Sequence, residues 1–105
     1  MNKLVFFVPP SYLEQVKNAL FDAGAGRYSN YDRCCWQVLG QGQFRPSNQA
    51  RPYFGVSGAL ESLAEYRVEM LCDEASLERA LDALKRAHPY EEPAYEVYDL
   101  SHWQV

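Results

Sequence analysis

The chain has 105 residues, of which 48% are apolar and 23% charged, and this composition predicts one globular domain spanning residues 1–105. Its formal net charge of −4 predicts no nucleic-acid partner, because phosphate binding requires a basic face. No apolar run approaches the roughly 20 residues that span a bilayer, so we expect no membrane partner. Pro9 and Pro10 interrupt the apolar start before any cleavage site, which favours a first strand over a signal peptide and predicts a cytoplasmic protein.

The first half of the chain predicts a strand, a helix and a second strand. Residues 3–8 predict a buried strand, because a continuous apolar run follows Lys3. Ser11 and Glu14 have the spacing of a capping box at the start of a helix, and Gly24 provides its stop. Residues 32–40 alternate in character and predict the second strand.

The second half predicts a strand, a helix and a last strand. Residues 66–72 alternate in the same way, and Asp73 is a good N-cap for a second helix whose apolar stripe ends at His88. Residues 94–100 complete the order β-α-β-β-α-β. This order predicts an α+β fold, the ferredoxin-like sandwich in which two helices cover one face of a four-stranded sheet.

One face of such a sheet has no helix to cover it. Large aromatic residues of the strands and the C-terminus exceed what the covered face can bury: Trp36, Tyr66, Tyr95, Tyr98 and Trp103. We therefore expect the uncovered face to be buried against other copies of the chain, in a homotrimer.

Residues 41–62 fit no regular template between the second and third strands. Loops longer than about 12–15 residues are uncommon in compact domains, and the aromatic and arginine content disfavours disorder. We expect an ordered loop that folds over the protein. Its cations, Arg45 and Arg51, could hold an anionic ligand, or could pair with Glu91 or Glu92 of their own or a neighbouring subunit.

Two further patterns favour structural roles. Gly40-x-Gly42 predicts a tight turn or bulge more than a phosphate cradle, because no helix or lysine follows it. The cysteines Cys34, Cys35 and Cys72 lack the spacing of a zinc site and are interpreted as buried reduced thiols, with a copper or oxidation role as the alternative. Cys34 and Cys35 should point to opposite faces of a strand.

The segment His88-Pro89-Tyr90-Glu91-Glu92-Pro93, called the corner below, carries the most polar chemistry in the chain. His88 with Glu91 and Glu92 could hold a divalent metal such as copper or zinc, if a neighbouring subunit, Glu69 or His102 completes the ligand set. The alternative is that His88 caps the second helix while the glutamates accept hydrogen bonds at a subunit seam. The candidate ligand-binding residues are Arg45, Arg51, Tyr90 and Glu92.

Several of these segments resemble known families. The stretch Leu84-x-x-x-His88-Pro89-Tyr90-Glu91 resembles the end of the second helix in CutA, the divalent-cation tolerance protein. A fuller set resembles the PII-like, CutA-like domain inserted in the dinuclear-metal proteins often labelled GTP cyclohydrolase type 2 homologues. That set is Gly40-x-Gly42-x-Phe44-x-Pro46, Pro52-Tyr53-Phe54-Gly55, Arg67-x-Glu69 and the corner with Ala94-Tyr95. The chain looks like a free-standing version of that domain.

The resemblance implies a trimer with sheets packed around an axis, and it matches the CutA histidine to His88. The cysteine of the CutA first strand has no counterpart, because that region reads Phe6-Phe7-Val8. The dinuclear site of the larger proteins lies in flanking domains, so their presumed hydrolase chemistry does not transfer.

These observations together predict a trimeric module that binds a small ligand or a divalent metal, with a regulatory or metal-homeostasis role. The alternative is a structural oligomerisation module that docks on a larger, dinuclear-metal hydrolase. We expect no enzyme activity, because no serine lies beside a base in a motif such as G-x-S-x-G.

Overall fold

A computed structural model describes residues 1–101 of the chain. The elements in chain order are β1 (Asn2–Val8), α1 (Leu13–Asp22), β2 (Trp36–Phe44), β3 (Glu61–Cys72), α2 (Glu74–Ala87) and β4 (Tyr95–Asp99). The strands form one antiparallel sheet in the order β2-β3-β1-β4. The predicted element order and the ferredoxin-like α+β fold are confirmed.

The core lies between the two helices and one face of the sheet. Alternate residues of β1 and β3 face the helices, because directly paired residues of neighbouring strands point to the same side. The central members of this core are all less than 2% exposed: Leu4, Phe6, Val8, Val16, Leu20, Val68, Ala80 and Leu84. Burying each of the large side chains contributes roughly 1.5–3 kcal/mol, so this layer fixes the position of the helices on the sheet.

The start of α1 differs from the prediction. A 3₁₀ turn, Pro10–Tyr12, precedes the helix, and the N-cap is Tyr12, which makes no side-chain cap hydrogen bond. Ser11 lies inside that turn and is exposed, so the predicted capping box with Glu14 is wrong. The reason is that Pro10 pre-sets the turn and moves the helix start beyond the serine.

The end of α1 agrees with the prediction. Gly24 has a φ of +109°, the left-handed conformation that glycine adopts without steric cost. Its N–H donates to the Phe21 carbonyl at 3.0 Å, and the Ala25 N–H donates to the Leu20 carbonyl at 3.0 Å. This pair of hydrogen bonds is a Schellman motif, and it satisfies carbonyls that would otherwise be free at the helix end.

The hairpin between β2 and β3 is longer than predicted. The expected strands covered residues 32–40 and 66–72, but β2 begins at Trp36 and the pairing continues until Phe44 lies opposite Glu61. The expected loop of residues 41–62 is therefore reduced to residues 45–60, called the flap below. The added rungs are Gln41–Ala64, Gly42–Leu63, Gln43–Ser62 and Phe44–Glu61. Polar and apolar residues do not alternate regularly along either strand there, and this is why periodicity missed them.

Gly40 and Gly42 lie within this hairpin and not in a turn. Both have ordinary strand pairing, Gly40 with Glu65 and Gly42 with Leu63, and neither has a positive φ. The prediction of a tight turn or bulge was therefore wrong. At Gly42, the absence of a side chain leaves room for the Glu65 carboxylate.

The sheet face away from the helices, called the open face below, carries only part of the aromatic surplus that we expected there. Trp36 is 58% exposed and Tyr98 is 46% exposed on this face. Tyr66 and Tyr95 instead pair with Val8 and Phe6 and pack against the core below the helices, so placing them in the surplus was wrong. Trp103 lies outside the described residues.

The N-termini of the two helices are capped differently, and the difference can be measured as a change in the free energy of unfolding. The Asp73 carboxylate accepts a 2.9 Å hydrogen bond from the Ser76 N–H, as the sequence predicted. We expect Asp73→Ala to lower the free energy of unfolding by about 1 kcal/mol, and Ser11→Ala to change it far less, in denaturant titrations. An equal loss in the two variants would contradict this assignment of the caps.

Candidate functional site

His88 anchors the corner to the sheet. Its Nε2–H donates to the Phe7 carbonyl at 2.6 Å, and its Nδ1 accepts the Tyr90 N–H at 3.1 Å. These partners require a neutral ring protonated on Nε2. The residue is only 6% exposed, and burial lowers the pKa of His88 below its ordinary value, although the hydrogen bond to Phe7 and the charge of Glu65 oppose that shift.

The structure does not bring the predicted metal ligands together. Both ring nitrogens of His88 are engaged, so no lone pair is left for a metal ion. Glu69 lies on β3 in an ion pair with Lys3 at 3.1 Å and a hydrogen bond from Arg67 at 3.1 Å, and these two cations lower the pKa of Glu69. Within residues 1–101, no three His, Cys, Asp or Glu side chains are grouped to hold a metal. His102 lies outside the described residues.

Tyr90 joins the corner to the long hairpin. Its hydroxyl donates to Glu65 Oε2 at 2.9 Å. Burial first, and then this carboxylate, raise the pKa of Tyr90 well above its ordinary value, so the phenol stays protonated. A Cβ at Gly42 would collide with the Glu65 carboxylate. Gly42 therefore leaves the space through which Glu65 reaches Tyr90.

The flap folds back over this pair. The Tyr53 ring lies 6.0 Å from the Tyr90 ring and meets Tyr12 edge-on at 5.9 Å. The Arg51 N–H donates to Glu91 Oε1 at 2.8 Å, which joins the flap to the corner. The predicted approach of the flap to the corner is thus present, but through the main chain of Arg51.

A cavity of about 480 Å³, called the corner cavity below, lies between the hairpin, the flap and the corner. Its aromatic walls are Phe7, Phe44, Tyr53, Phe54 and Tyr90, and its charged lining residues are Glu65, Glu91 and Glu92. The volume falls in the range of roughly 300–1,000 Å³ that is usual for small-molecule sites. An aromatic cleft with a few polar groups is the arrangement that such sites share.

The predicted ligand-binding residues divide into two groups. Tyr90 and Glu92 line the corner cavity, whereas Arg45 and Arg51 are not among its lining residues. The Arg51 guanidinium donates to the neighbouring Ala50 carbonyl at 3.3 Å and does not reach a carboxylate. The sequence did not identify Glu65, because no local pattern shows that a strand glutamate crosses a glycine on the adjacent strand.

The cysteines lie elsewhere. Cys72 is buried, and burial raises the pKa of its thiol. Cys34 and Cys35 are half-buried free thiols that precede β2, and both line a second cavity of about 370 Å³ beside Trp36. The expectation that these two cysteines point to opposite faces of a strand was wrong, because the strand begins only at Trp36.

The chain is similar to known proteins over most of its length. The chain is 42% identical over 100 residues to a GTP cyclohydrolase 1 type 2 homolog of Mycobacterium leprae, covering 95% of this chain and 26% of that protein. It superposes on a Bacillus cereus protein related to NIF3 with a TM-score of 0.80 and 39% identity, covering 92% of this chain and 24% of the other. No protein-family model matches the chain.

The fold is also that of CutA. The periplasmic divalent cation tolerance protein CutA of Archaeoglobus fulgidus superposes with a TM-score of 0.68 at 14% identity, covering 98% of this chain and 86% of that one. The fold class is therefore the CutA-like and PII-like one. The predicted resemblance to one segment of the GTP cyclohydrolase 1 type 2 homologues is confirmed, and the chain spans about a quarter of the curated relatives it matches.

Neither helix among the described residues is both long and apolar enough to cross a membrane.

The buried imidazole gives stability a pH dependence. Because the pKa of His88 is lower in the folded chain, the unfolded chain takes up a proton first as the pH falls below about 6.5. The stabilisation from the neutral ring is complete above that pH and is lost below it. We expect the native chain to lose more free energy of unfolding between about pH 7 and about pH 5 than His88→Gln, which keeps an N–H donor but cannot titrate. Parallel pH profiles from denaturant titration would contradict this.

Proposed function

We propose that this chain is a small-ligand-binding module with a regulatory role, and that the ligand occupies the corner cavity. The observation that carries the proposal is a concave aromatic site of about 480 Å³ whose walls come from four separate parts of the chain: β1, the hairpin, the flap and the corner. A ligand there would contact all four at once, so its binding would be linked to their relative positions.

The regulatory role is supported by the difference between the walls of the cavity. His88 and Tyr90 fix the corner to β1 and to the hairpin through buried hydrogen bonds. Among the described residues, the flap is held to the corner by one hydrogen bond, from the Arg51 N–H to Glu91, and it also makes ring contacts with Tyr12 and Tyr90. A ligand that prefers one flap position would shift the population toward it, and a partner protein could read that change.

Binding, and not catalysis, is the activity that the site favours. Two of the titratable groups of the corner are already engaged: both ring nitrogens of His88 bond main-chain partners, and the Tyr90 hydroxyl bonds Glu65. None of these pairs joins a nucleophile to a free base. A divalent metal fits less well than an organic ligand, because the described residues offer no converging set of donors.

The open face of the sheet supports a trimer. Trp36 and Val38 on β2 and Tyr98 on β4 lie at opposite edges of this face and are between 44% and 58% exposed. Exposed apolar side chains of this size favour an interface with another protein surface. CutA-like sheets that pack around an axis would bury them.

Light scattering tests the trimer directly. We expect a mass three times the 12.1 kDa of one chain. The double variant Trp36→Glu with Tyr98→Glu should dissociate it, because two charges would be buried in the interface. Tyr31 is 71% exposed and lies outside the strands. Tyr31→Glu is therefore the matched control and should leave the mass unchanged. A monomer mass for the native chain at micromolar concentration would exclude the trimer.

A second candidate is a structural oligomerisation module that docks on a larger metal-dependent hydrolase. It is favoured by the share of the relatives that the chain covers, since in those proteins the same segment is joined to a remainder about three times as long. This candidate requires the trimer but not a ligand in the corner cavity.

A cavity-filling variant separates the two candidates. Three probes sharing one naphthylethyl skeleton are titrated into ¹⁵N-labelled protein: 2-(1-naphthyl)ethylamine, 2-(1-naphthyl)ethanol and 3-(1-naphthyl)propionate. We expect at least one probe to shift the amides of Tyr53 and Tyr90. Ala94→Trp, which places an indole in the cavity, should abolish the shifts, and Ala75→Trp on the exposed side of α2 should keep them. If no probe binds the native chain, ligand binding fails and the docking module remains.

A further inference from the structure

The lining of the corner cavity is charged with one sign only. Its charged residues are three glutamates, Glu65, Glu91 and Glu92, and no lysine or arginine lines it. The protonated Tyr90 adds no charge. Resting on the proposed function, we infer that the ligand is a small organic cation, a protonated or quaternary amine that carries an apolar or aromatic group, and not a phosphate or carboxylate compound.

The carboxylates are not neutralised by cations from outside the cavity. Glu65 accepts from a neutral phenol, and Glu91 accepts from a main-chain N–H. Glu92 is exposed and makes no hydrogen bond or ion pair with any described residue. All three negative charges therefore remain available to a ligand cation, and an anion would meet them at close range in a partly apolar cleft.

The aromatic walls favour the same ligand class. A cation is attracted to the face of a ring within about 6 Å, because the ring quadrupole is negative there. The Tyr53 and Tyr90 rings are tilted by 39° to each other at 6.0 Å, Phe44 and Phe54 meet edge to face at 6.4 Å, and all four residues line the cavity. One lining ring already makes such a contact, since the Arg67 guanidinium lies 5.7 Å from the Phe7 centroid.

The arginines that suggested an anionic ligand are directed elsewhere. Arg51 gives its main-chain N–H to the corner and its guanidinium to the Ala50 carbonyl. Arg45 is exposed and does not line the cavity. The flap thus brings its peptide and its aromatic rings to the site while keeping its positive charges outside.

The three naphthylethyl probes test the sign of the ligand, because they differ in charge and share one ring system. We expect the amine to bind roughly fivefold or more tightly than the alcohol, and the carboxylate to bind most weakly. Raising the salt concentration should weaken the amine and leave the alcohol unchanged. Equal affinities, or preference for the carboxylate, would overturn the inference and leave the proposed binding function in place; silence from all three probes would instead overturn the proposed function.

A charge variant locates the effect. Glu92→Gln should weaken the amine by about threefold or more and leave the alcohol unchanged, because it removes one local charge and keeps the shape. Glu78→Gln removes the same charge from the exposed side of α2, away from the cavity, and should change neither. If both variants weaken the amine equally, the preference comes from the net charge of the chain and the assignment to the cavity is overturned.

Discussion

The arrangement of the site depends on one buried side chain. One ring nitrogen of His88 bonds the Phe7 carbonyl near the end of β1, and the other accepts the Tyr90 N–H of the corner. The His88 ring lies edge-on to Tyr90 at 4.6 Å. Pro89 prevents the helix from continuing, so the chain must leave α2 at the point where the imidazole fixes it. Without this anchor, Tyr90 would not be directed at Glu65, and the hairpin and the corner would be separate surfaces.

Gly42 has a role in this arrangement that its conformation does not reveal. Most functional glycines are recognised by a positive φ, but this one has ordinary strand geometry and acts through the absence of a side chain. Any Cβ there would displace the Glu65 carboxylate, which holds Tyr90. The resemblance motif that contains Gly42 therefore has a steric explanation, and the phosphate-cradle interpretation of the same residues is unnecessary.

The sequence predicted the elements that follow from burial and periodicity. It missed the features that depend on where individual side chains point. The core strands, α2 with its Asp73 cap and the end of α1 at Gly24 follow from apolar spacing and local capping chemistry. Beyond Gly40 the hairpin has one exposed side and one half-buried side, but glycine and glutamate residues share the half-buried positions with apolar residues, so no apolar period marks it. The strand register also decides on which face of the sheet an aromatic residue lies. Tyr66 and Tyr95 lie on the helix side because they pair with Val8 and Phe6 of β1.

The sign of the charge at the candidate site is the clearest example of a feature that the sequence could not predict. Counting residues, the flap contributes two arginines and the corner contributes two glutamates, which suggests a salt-bridged or anion-binding seam. The backbone of the flap reverses that expectation, since the Arg51 N–H satisfies Glu91 while its guanidinium turns to the neighbouring carbonyl. A main-chain donor carries no formal charge, so this hydrogen bond joins the flap to the corner without placing a cation on Glu91. The flap can therefore be ordered by the corner and the cavity can still retain the negative potential that would select its ligand.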